Sequence, residues 1–326
     1  MIGVALVGLG EIGQVHLDAL RSSPHTNLVA LCDLDRELGV RSAKGESTTD
    51  DFAELLCRDD VDAVDICLPH HLHASLAVQA LEAGRHVLLE KPAAVSVAEC
   101  NGIIEAARLA DRRVGVSHNQ LFYEPHRMLR RMLADGILGE LRTIRARLAI
   151  GGKYGEWRSD PSQAGGGLLM DAGVHRIYVL EMLAGPVAAV TAVMDRPRSE
   201  DTYTVVLEFA GGAIGTIDAT YYGPEGLFDD RIEVVGTAAI AEVAGCEARF
   251  EGFAPGPAMR LWRDGEWTPH ETADTWDMTV SRSVAAFFAA IDAGRPPPVD
   301  ADAGRRTVRI IESAYQSALT ARRVEL

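Results

Sequence analysis

Three groups of residues have the types and the spacing to do chemistry. The first is Gly8-Leu9-Gly10-Glu11-Ile12-Gly13, a G-x-G-x-x-G between an apolar run and a helix-patterned stretch. The first glycine permits a tight turn, the second lets backbone approach a pyrophosphate, and the third lets the helix lie close to the strand. Phosphate charge would then rest on the free N–H groups at the helix start. Asp33 closes the next apolar run at about the expected distance of twenty residues, where a carboxylate accepts hydrogen bonds from ribose hydroxyls and repels a 2′-phosphate. The pattern points to NAD rather than NADP, although Arg36 is near enough in sequence to help a 2′-phosphate.

Lys91 is the second group. It follows an apolar strand, on the sheet edge where doubly wound folds bind ligands. A partly dry lysine beside a cation has its charged form disfavoured and can share a proton with a hydroxyl. The plainer alternative is a surface lysine at a turn. The third group is Asp171 and His175, four apart on a predicted helix and so on one face. A carboxylate there can orient the imidazole and leave its other nitrogen as a base. The same pair resembles two metal ligands, but no third His or carboxylate has ligand spacing, so no metal is expected. A helix-start Asp with an exposed His is the plain reading. Gly165-Gly166-Gly167 before this helix would allow close backbone approach.

The elements that must hold these groups follow from the hydrophobic pattern. Up to about Gln120, buried-type strands (Ile2–Val7, Leu28–Cys32, Ala63–Leu68, His86–Leu89, Val114–Ser117) alternate with helices (Ile12–Ser22, Asp51–Leu56, Leu72–Ala83, Ser96–Leu109). Continuous apolar strands separated by helices indicate a parallel sheet covered on both faces. Beyond it, Glu124–Asp135 and Leu168–Leu183 read as helices. Val187–Met194, Tyr203–Phe209, Ala213–Ala219, Ile232–Val235 and Ala238–Glu242 read as strands, with Gly211-Gly212 as a hairpin turn. Helices Val280–Ala293 and Ala303–Ala321 close the chain around Pro296-Pro297-Pro298. The fold class is α/β: a doubly wound Rossmann domain over residues 1–120, then an α+β domain over 121–326 with an open-faced, largely antiparallel sheet.

Composition excludes other classes. Lys plus Arg is 32 against 47 Asp plus Glu, a formal charge of −15, which disfavours nucleic acid and anionic membrane as partners. With 47% hydrophobic and 24% charged residues, the chain is not disordered. Cys32, Cys57, Cys67, Cys100 and Cys246 are odd in number, lack C-x-x-C spacing, and read as structural thiols of a reducing, cytoplasmic setting. The N-terminus reads as a strand, not a signal peptide.

The stretch from Asp62 to Pro92 resembles the Gfo/Idh/MocA family of sugar and polyol oxidoreductases. Glu90-Lys91-Pro92 corresponds to its E-K-P motif, and Pro69 and His73 to P-x-x-x-H, with His70 where the family often has Asn. AGGGLLMDAGVH, Ala164–His175, is similar to its GGG-x-L-x-D-x-G-x-H, and GRPPPV at Gly294–Val299 also fits. The resemblance implies a substrate held between the two domains and a catalytic set of Lys91, Asp171 and His175. For the cofactor it implies Gly8, Gly10, Glu11, Ile12, Gly13, Asp33, Leu68, Pro69, His70, His73, Glu90, Lys91, Asn119, Trp157 and Arg158. Asn119 and Tyr123 follow the last Rossmann strand and are candidates for substrate hydroxyl contacts; Lys91, Trp157, Asp171 and His175 would complete the set, although Trp157 reads equally well as a packing residue. Leu121 stands where the family often has an Arg, so that contact is absent. His86, His118, His126 and His270 read as packing, structural or surface residues.

The expected reaction is hydride transfer between NAD and a secondary alcohol of a sugar, polyol or inositol. Glycoside cleavage by transient oxidation on a tightly held NAD, or an NAD-dependent sensor without turnover, are the alternatives. A Lys91–Pro92 cis peptide is expected at the turn. Loops Gly151–Gly165 and Thr220–Asp230 are expected to set specificity, and the open sheet to pair subunits into a dimer or tetramer.

Overall fold

The computed structural model describes residues 1–152, 155–246 and 256–326; Lys153 and Tyr154 of the first specificity loop lie outside the described residues. The chain forms two compact units, Met1–Asn119 with Val280–Val308, and Gln120–Thr279 with Arg309–Leu326.

In the first unit the elements run β1 (Ile2–Val7), α1 (Glu11–Ser22), β2 (Thr26–Cys32), α2 (Arg36–Ser42), β3 (Ser47–Thr49), α3 (Phe52–Leu56), β4 (Ala63–Ile66), α4 (His70–Glu82), β5 (His86–Glu90), α5 (Val97–Ala110) and β6 (Val114–Ser117). The strands form one six-stranded sheet in the order β3-β2-β1-β4-β5-β6, all parallel. Parallel neighbours need crossovers, and a helix fills each gap, as the alternating pattern requires. Every residue of β1 and β4 is buried, which is why β1 reads as an unbroken apolar run and β4 as one interrupted only by Asp65. Local chemistry sets the helix starts. Asp35 caps α2, Asp51 caps α3 and Ser96 caps α5, each cap worth about 1 kcal/mol. By contrast, α1 begins at Gly10 with no side-chain cap.

This unit also takes in Val280–Val308, part of the stretch that sequence patterning assigns to the second domain. The edge strand β6 is the reason. The Val116 N–H donates to the Val299 carbonyl at 3.0 Å, and Gly115 forms a bridge with Asp300. Phe287 lies so close over Gly115 that an added Cβ would meet its ring at 2.4 Å.

The second unit holds α6 (Glu124–Ala134), β7 (Leu141–Ile150), the short α7 (Pro161–Ala164), α8 (Val174–Ala184), β8 (Val187–Met194), β9 (Thr202–Phe209), β10 (Ile214–Thr220), β11 (Phe228–Gly236), β12 (Ile240–Ala244), β13 (Met259–Arg263) and β14 (Glu266–His270). It is completed by α9 (Trp276–Asp292) and α10 (Ala301–Thr320), which span the division between the units, and β15 (Val324–Glu325). The nine strands form one sheet, β14-β13-β12-β11-β7-β10-β9-β8-β15. Sequence patterning does not mark β7, yet it is central: it pairs parallel with β10 and antiparallel with β11. Its signal is a period-two alternation in which Ile144, Ala146 and Leu148 are buried and Arg145 and Arg147 exposed, easily lost among so many charges. The buried face joins α6 and α8 in one core with Leu129, Ile177, Leu180, Val205 and Ile217. The other face carries Arg145, Arg147, Thr204, Asp218 and Arg231 in exposed positions. Gly211-Gly212 makes the β9–β10 turn, with Gly212 at φ 87°. Among the described residues no helix is long and apolar enough to cross a membrane.

Candidate functional site

The glycine turn sits where the strand order reverses, between the neighbours β1 and β4, the usual ligand crevice of such sheets. Gly8 has φ 88°, and an added Cβ would meet the Cys67 carbonyl oxygen at 2.3 Å; at Gly13 it would meet the Gly8 oxygen at 2.1 Å. These two glycines are required by the chain's own packing. Gly10 differs: a Cβ there would meet nothing within 4 Å, so the turn opens onto unfilled space beside the uncapped start of α1. That is the cradle a pyrophosphate needs. Asp33 braces it, accepting the Leu9 N–H on Oδ2 at 2.7 Å and the Asp35 N–H on Oδ1 at 2.9 Å. A carboxylate has lone pairs to spare for ribose hydroxyls. Glu11 is exposed and Ile12 half-buried at the helix start; Leu68 and Pro69 are half-buried at the end of β4. The residues present therefore fit a dinucleotide.

Glu90 ends β5, next to β4. Its Oε2 accepts the Lys91 N–H at 3.0 Å, and its Oε1 lies 3.1 Å from His16 Nε2. Burial opposes its charge, but His16 and then Lys91 hold Glu90 below the usual carboxylate range. The Lys91–Pro92 peptide is cis, as expected, and Lys91 is half-buried. His73 is fully buried between two backbone carbonyls, with Nδ1 2.7 Å from Pro92 O and Nε2 2.8 Å from Leu68 O. It ties the two loops together from inside the fold, and burial lowers its pKa. His70 is also buried, its ring edge-on to His73 at 5.7 Å. Asn119, 4% exposed, opens a 3-10 turn after β6. Beside that turn His118 is kept neutral, pushed by burial down to about 3.

In the second unit, Asp171 stands on a π-helical turn, Leu169–Gly173, that runs directly into α8 with His175 in its first turn. The sequence predicts one α-helix here. The wider turn follows from how its start is held. The Leu168 N–H donates to the Glu200 carbonyl at 2.9 Å and the Leu169 N–H to Glu200 Oε1 at 2.8 Å. Gly167 fits against the Glu200 backbone, where a Cβ would lie 2.3 Å from its oxygen. Asp171 and His175 are both buried. Arg158 Nε lies 3.7 Å from Asp171 Oδ1, and the Arg158 guanidinium stacks over the Trp157 ring at 4.6 Å. The Tyr221 hydroxyl donates to Asp171 Oδ2 at 3.3 Å. The expected residues Trp157, Arg158 and Asp171 thus converge within this unit. Tyr123 does not join them: its ring is fully buried and its hydroxyl donates to the Ala244 carbonyl at 3.2 Å. Sequence reasoning missed His16, Tyr221, Glu200 and Arg176, which makes a buried ion pair with Asp230 (2.5 Å).

A cradle at the β1–β4 switch, an E-K-P turn closing β5 and a D-x-G-x-H helix in a second, sheet-based unit occur here in one chain. Residues 2–118 match the profile of an oxidoreductase family with an NAD-binding Rossmann fold, and residues 126–242 match the GFO/IDH/MocA C-terminal domain. The chain belongs to the Gfo/Idh/MocA oxidoreductase family. Its Rossmann unit is the NAD-binding one. An uncharacterized oxidoreductase of Bacillus subtilis, YrbE, is 27% identical over 97% of this chain and 94% of its own. A myo-inositol 2-dehydrogenase of Thermotoga maritima is 27% identical over 72% of each. The crystal structure of GenD2 from gentamicin A biosynthesis, in complex with NAD, superposes with a TM-score of 0.85 at 28% identity, covering 100% of this chain and 96% of that one.

Proposed function

We propose that this family member oxidises a secondary alcohol of a sugar, polyol or inositol with NAD, and catalyses the reverse reduction. The observation that carries the reading is the grouping of Arg158 and Tyr221 around Asp171, which stands on the turn that feeds His175, in a chain that also holds a dinucleotide cradle. The likeness to a myo-inositol 2-dehydrogenase supports the substrate class. NAD supplies the hydride acceptor; the chain supplies orientation and proton transfer. His175 takes the hydroxyl proton as general base. Asp171, held by Tyr221 and facing Arg158, orients the imidazole. Lys91 polarises the reacting oxygen and relays the proton. The chain has 29 arginines and three lysines, Lys44, Lys91 and Lys153. A guanidinium cannot give up its proton at working pH, whereas an ammonium can, which suits a lysine to position 91.

Gly8, Gly10, Gly13 and Asp33 hold the dinucleotide, with Glu11, Ile12, Leu68, Pro69, His70 and Asn119 around it. His73 and Glu90 act through the backbone they grip. Trp157 and Arg158 shape the substrate end. Tyr123, whose hydroxyl is spent on Ala244, is left out. Residues from about 121 on supply substrate binding and, through the sheet, subunit pairing.

The test is NAD reduction over a panel of inositols, aldoses, anhydrosugars and glycosides. A secondary alcohol should be oxidised, and Lys91→Met or His175→Gln should lower kcat at least roughly a hundredfold with NADH binding retained. Near-normal turnover in either variant would refute the assignment. Product formed from a glycoside without added NAD would point instead to cleavage by transient oxidation.

A further inference from the structure

We propose that His16 is a positioning residue for Lys91: a buried imidazolium that clamps the Glu90 carboxylate and, through it, the backbone that carries Lys91. The proposal rests on the reading that Lys91 serves the reaction.

His16 lies on α1 and is fully buried. Its Nδ1 is 2.8 Å from Asp65 Oδ2 and its Nε2 is 3.1 Å from Glu90 Oε1. A neutral imidazole carries one N–H and one lone pair, so in this place the lone pair would confront a carboxylate in a dry interior. Only the protonated ring donates to both. Burial works against that charge, but Asp65 and the neighbouring groups outweigh it and hold His16 well above its ordinary range.

The groups facing the ring are Asp65 on β4, Cys67 just after it and Glu90 at the end of β5. The Cys67 thiol, pushed up to about 12 mainly by burial, stays protonated and donates to Asp65 Oδ1 at 3.9 Å. His16, Asp65 and Cys67 have the composition of a metal site. A ring with both nitrogens protonated has no lone pair for a cation, however, and a thiol is a poor ligand until it ionises. The cluster is therefore a clamp across two adjacent strands.

The clamp has a direction. Glu90 receives one donor on each oxygen: His16 on Oε1 and the Lys91 N–H on Oε2. On the far side of the cis bond, the Pro92 carbonyl faces His73 Nδ1 at 2.7 Å. The backbone of Lys91 is thus gripped on both sides, and one grip depends on the charge state of His16. If the ring lost its Nε2 proton, it would repel Glu90 and loosen the Lys91 N–H bond.

Nuclear magnetic resonance tests this without any substrate. In 15N-histidine-labelled protein both His16 ring nitrogens should carry protons at neutral pH, the signal being identified by its loss in His16→Asn. Labelling with 15N-lysine gives three backbone amides, assigned through Lys44→Arg and Lys153→Arg. The Lys91 amide should be protected from exchange, and His16→Asn should remove that protection. Asp65→Asn keeps an acceptor for Nδ1 but removes a charge. In that variant His16 should deprotonate at lower pH and the Lys91 amide should lose protection along with it, which decides the matter even if His16→Asn does not fold. With an active substrate, Asp65→Asn should lower kcat at least roughly tenfold above the new His16 pKa while the NADH dissociation constant holds. A native His16 ring with a bare nitrogen overturns the proposal, as does a Lys91 amide indifferent to both substitutions. Failure to oxidise any alcohol would instead refute the proposed reaction, and the histidine and lysine signals would still decide the role of His16.

Discussion

Arg36 shows how a single partner changes what a residue is available to do. Its Nε donates to Asp50 Oδ2 at 2.6 Å, so the guanidinium that could meet a 2′-phosphate is already paired. Arg36 is 78% exposed, and exposed ion pairs are weak and screened by salt. Arg36 can therefore exchange Asp50 for a 2′-phosphate at little cost. Asp50→Asn should raise kcat/KM with NADP by no more than about fivefold and leave NAD unchanged; a parallel set of initial rates with both cofactors measures it. At this scale, legibility depends on sequence distance. Gly8 to Gly13 and Asp33 could be read directly because the turn, the helix start and the acidic partner lie in one β-α-β stretch. His16 could not, because its partners lie 49 and 74 residues away, and a histidine on a helix carries no mark of what it will meet. Tyr123 shows the same limit: its place after the last Rossmann strand gives no sign that its ring enters the core or that its hydroxyl meets the Ala244 carbonyl, 121 residues away.

At the scale of elements, the Leu169–Gly173 turn is held from two sides, and each can be tested. Burial pushes Glu200 up to about 7 from 4.5, against the pull of the Leu169 N–H and the Tyr315 hydroxyl. Near neutral pH the folded state keeps a proton that the unfolded chain releases. The contribution of Glu200 is therefore full below pH 4.5 and is lost as pH rises through about 7. Across that window Glu200→Gln, which does not titrate, should gain several degrees of Tm relative to the native protein, as scanning calorimetry at stepped pH would show. On the α8 side, Arg176 and Asp230 are both buried. Burial pushes Asp230 up, and Arg176 opposes the shift. Asp230→Ala takes the carboxylate away from the buried Arg176 guanidinium and should cost about 3–5 kcal/mol in denaturant unfolding. Periodicity located the helix but not the π turn inside it, because the wider turn comes from Glu200, a residue supplied by the chain between β8 and β9.

For the whole molecule, the charge of −15 sits beside a site for an anionic dinucleotide without conflict. The cradle uses backbone N–H groups at α1, so no basic surface is needed. The open face of the second sheet is charged, with Asp229 bridging Arg147 at 3.1 Å and Arg231 at 2.6 Å. If subunits pair through this face, light scattering should report a dimer or tetramer, and high salt should weaken the assembly more than it would an apolar interface. The sequence by itself determined the parallel α/β class, the glycine turn with Asp33, the E-K-P and D-x-G-x-H positions and the family resemblance. All of these rest on contacts between near neighbours or on motifs read in order. Tertiary structure alone decided that Val280–Val308 returns to the Rossmann unit, that β7 centres the second sheet, and that His16 is caught between two carboxylates. Each depends on long-range pairing, an edge strand needing a partner or a charge needing a counter-charge, and no local pattern encodes which distant segment will supply it.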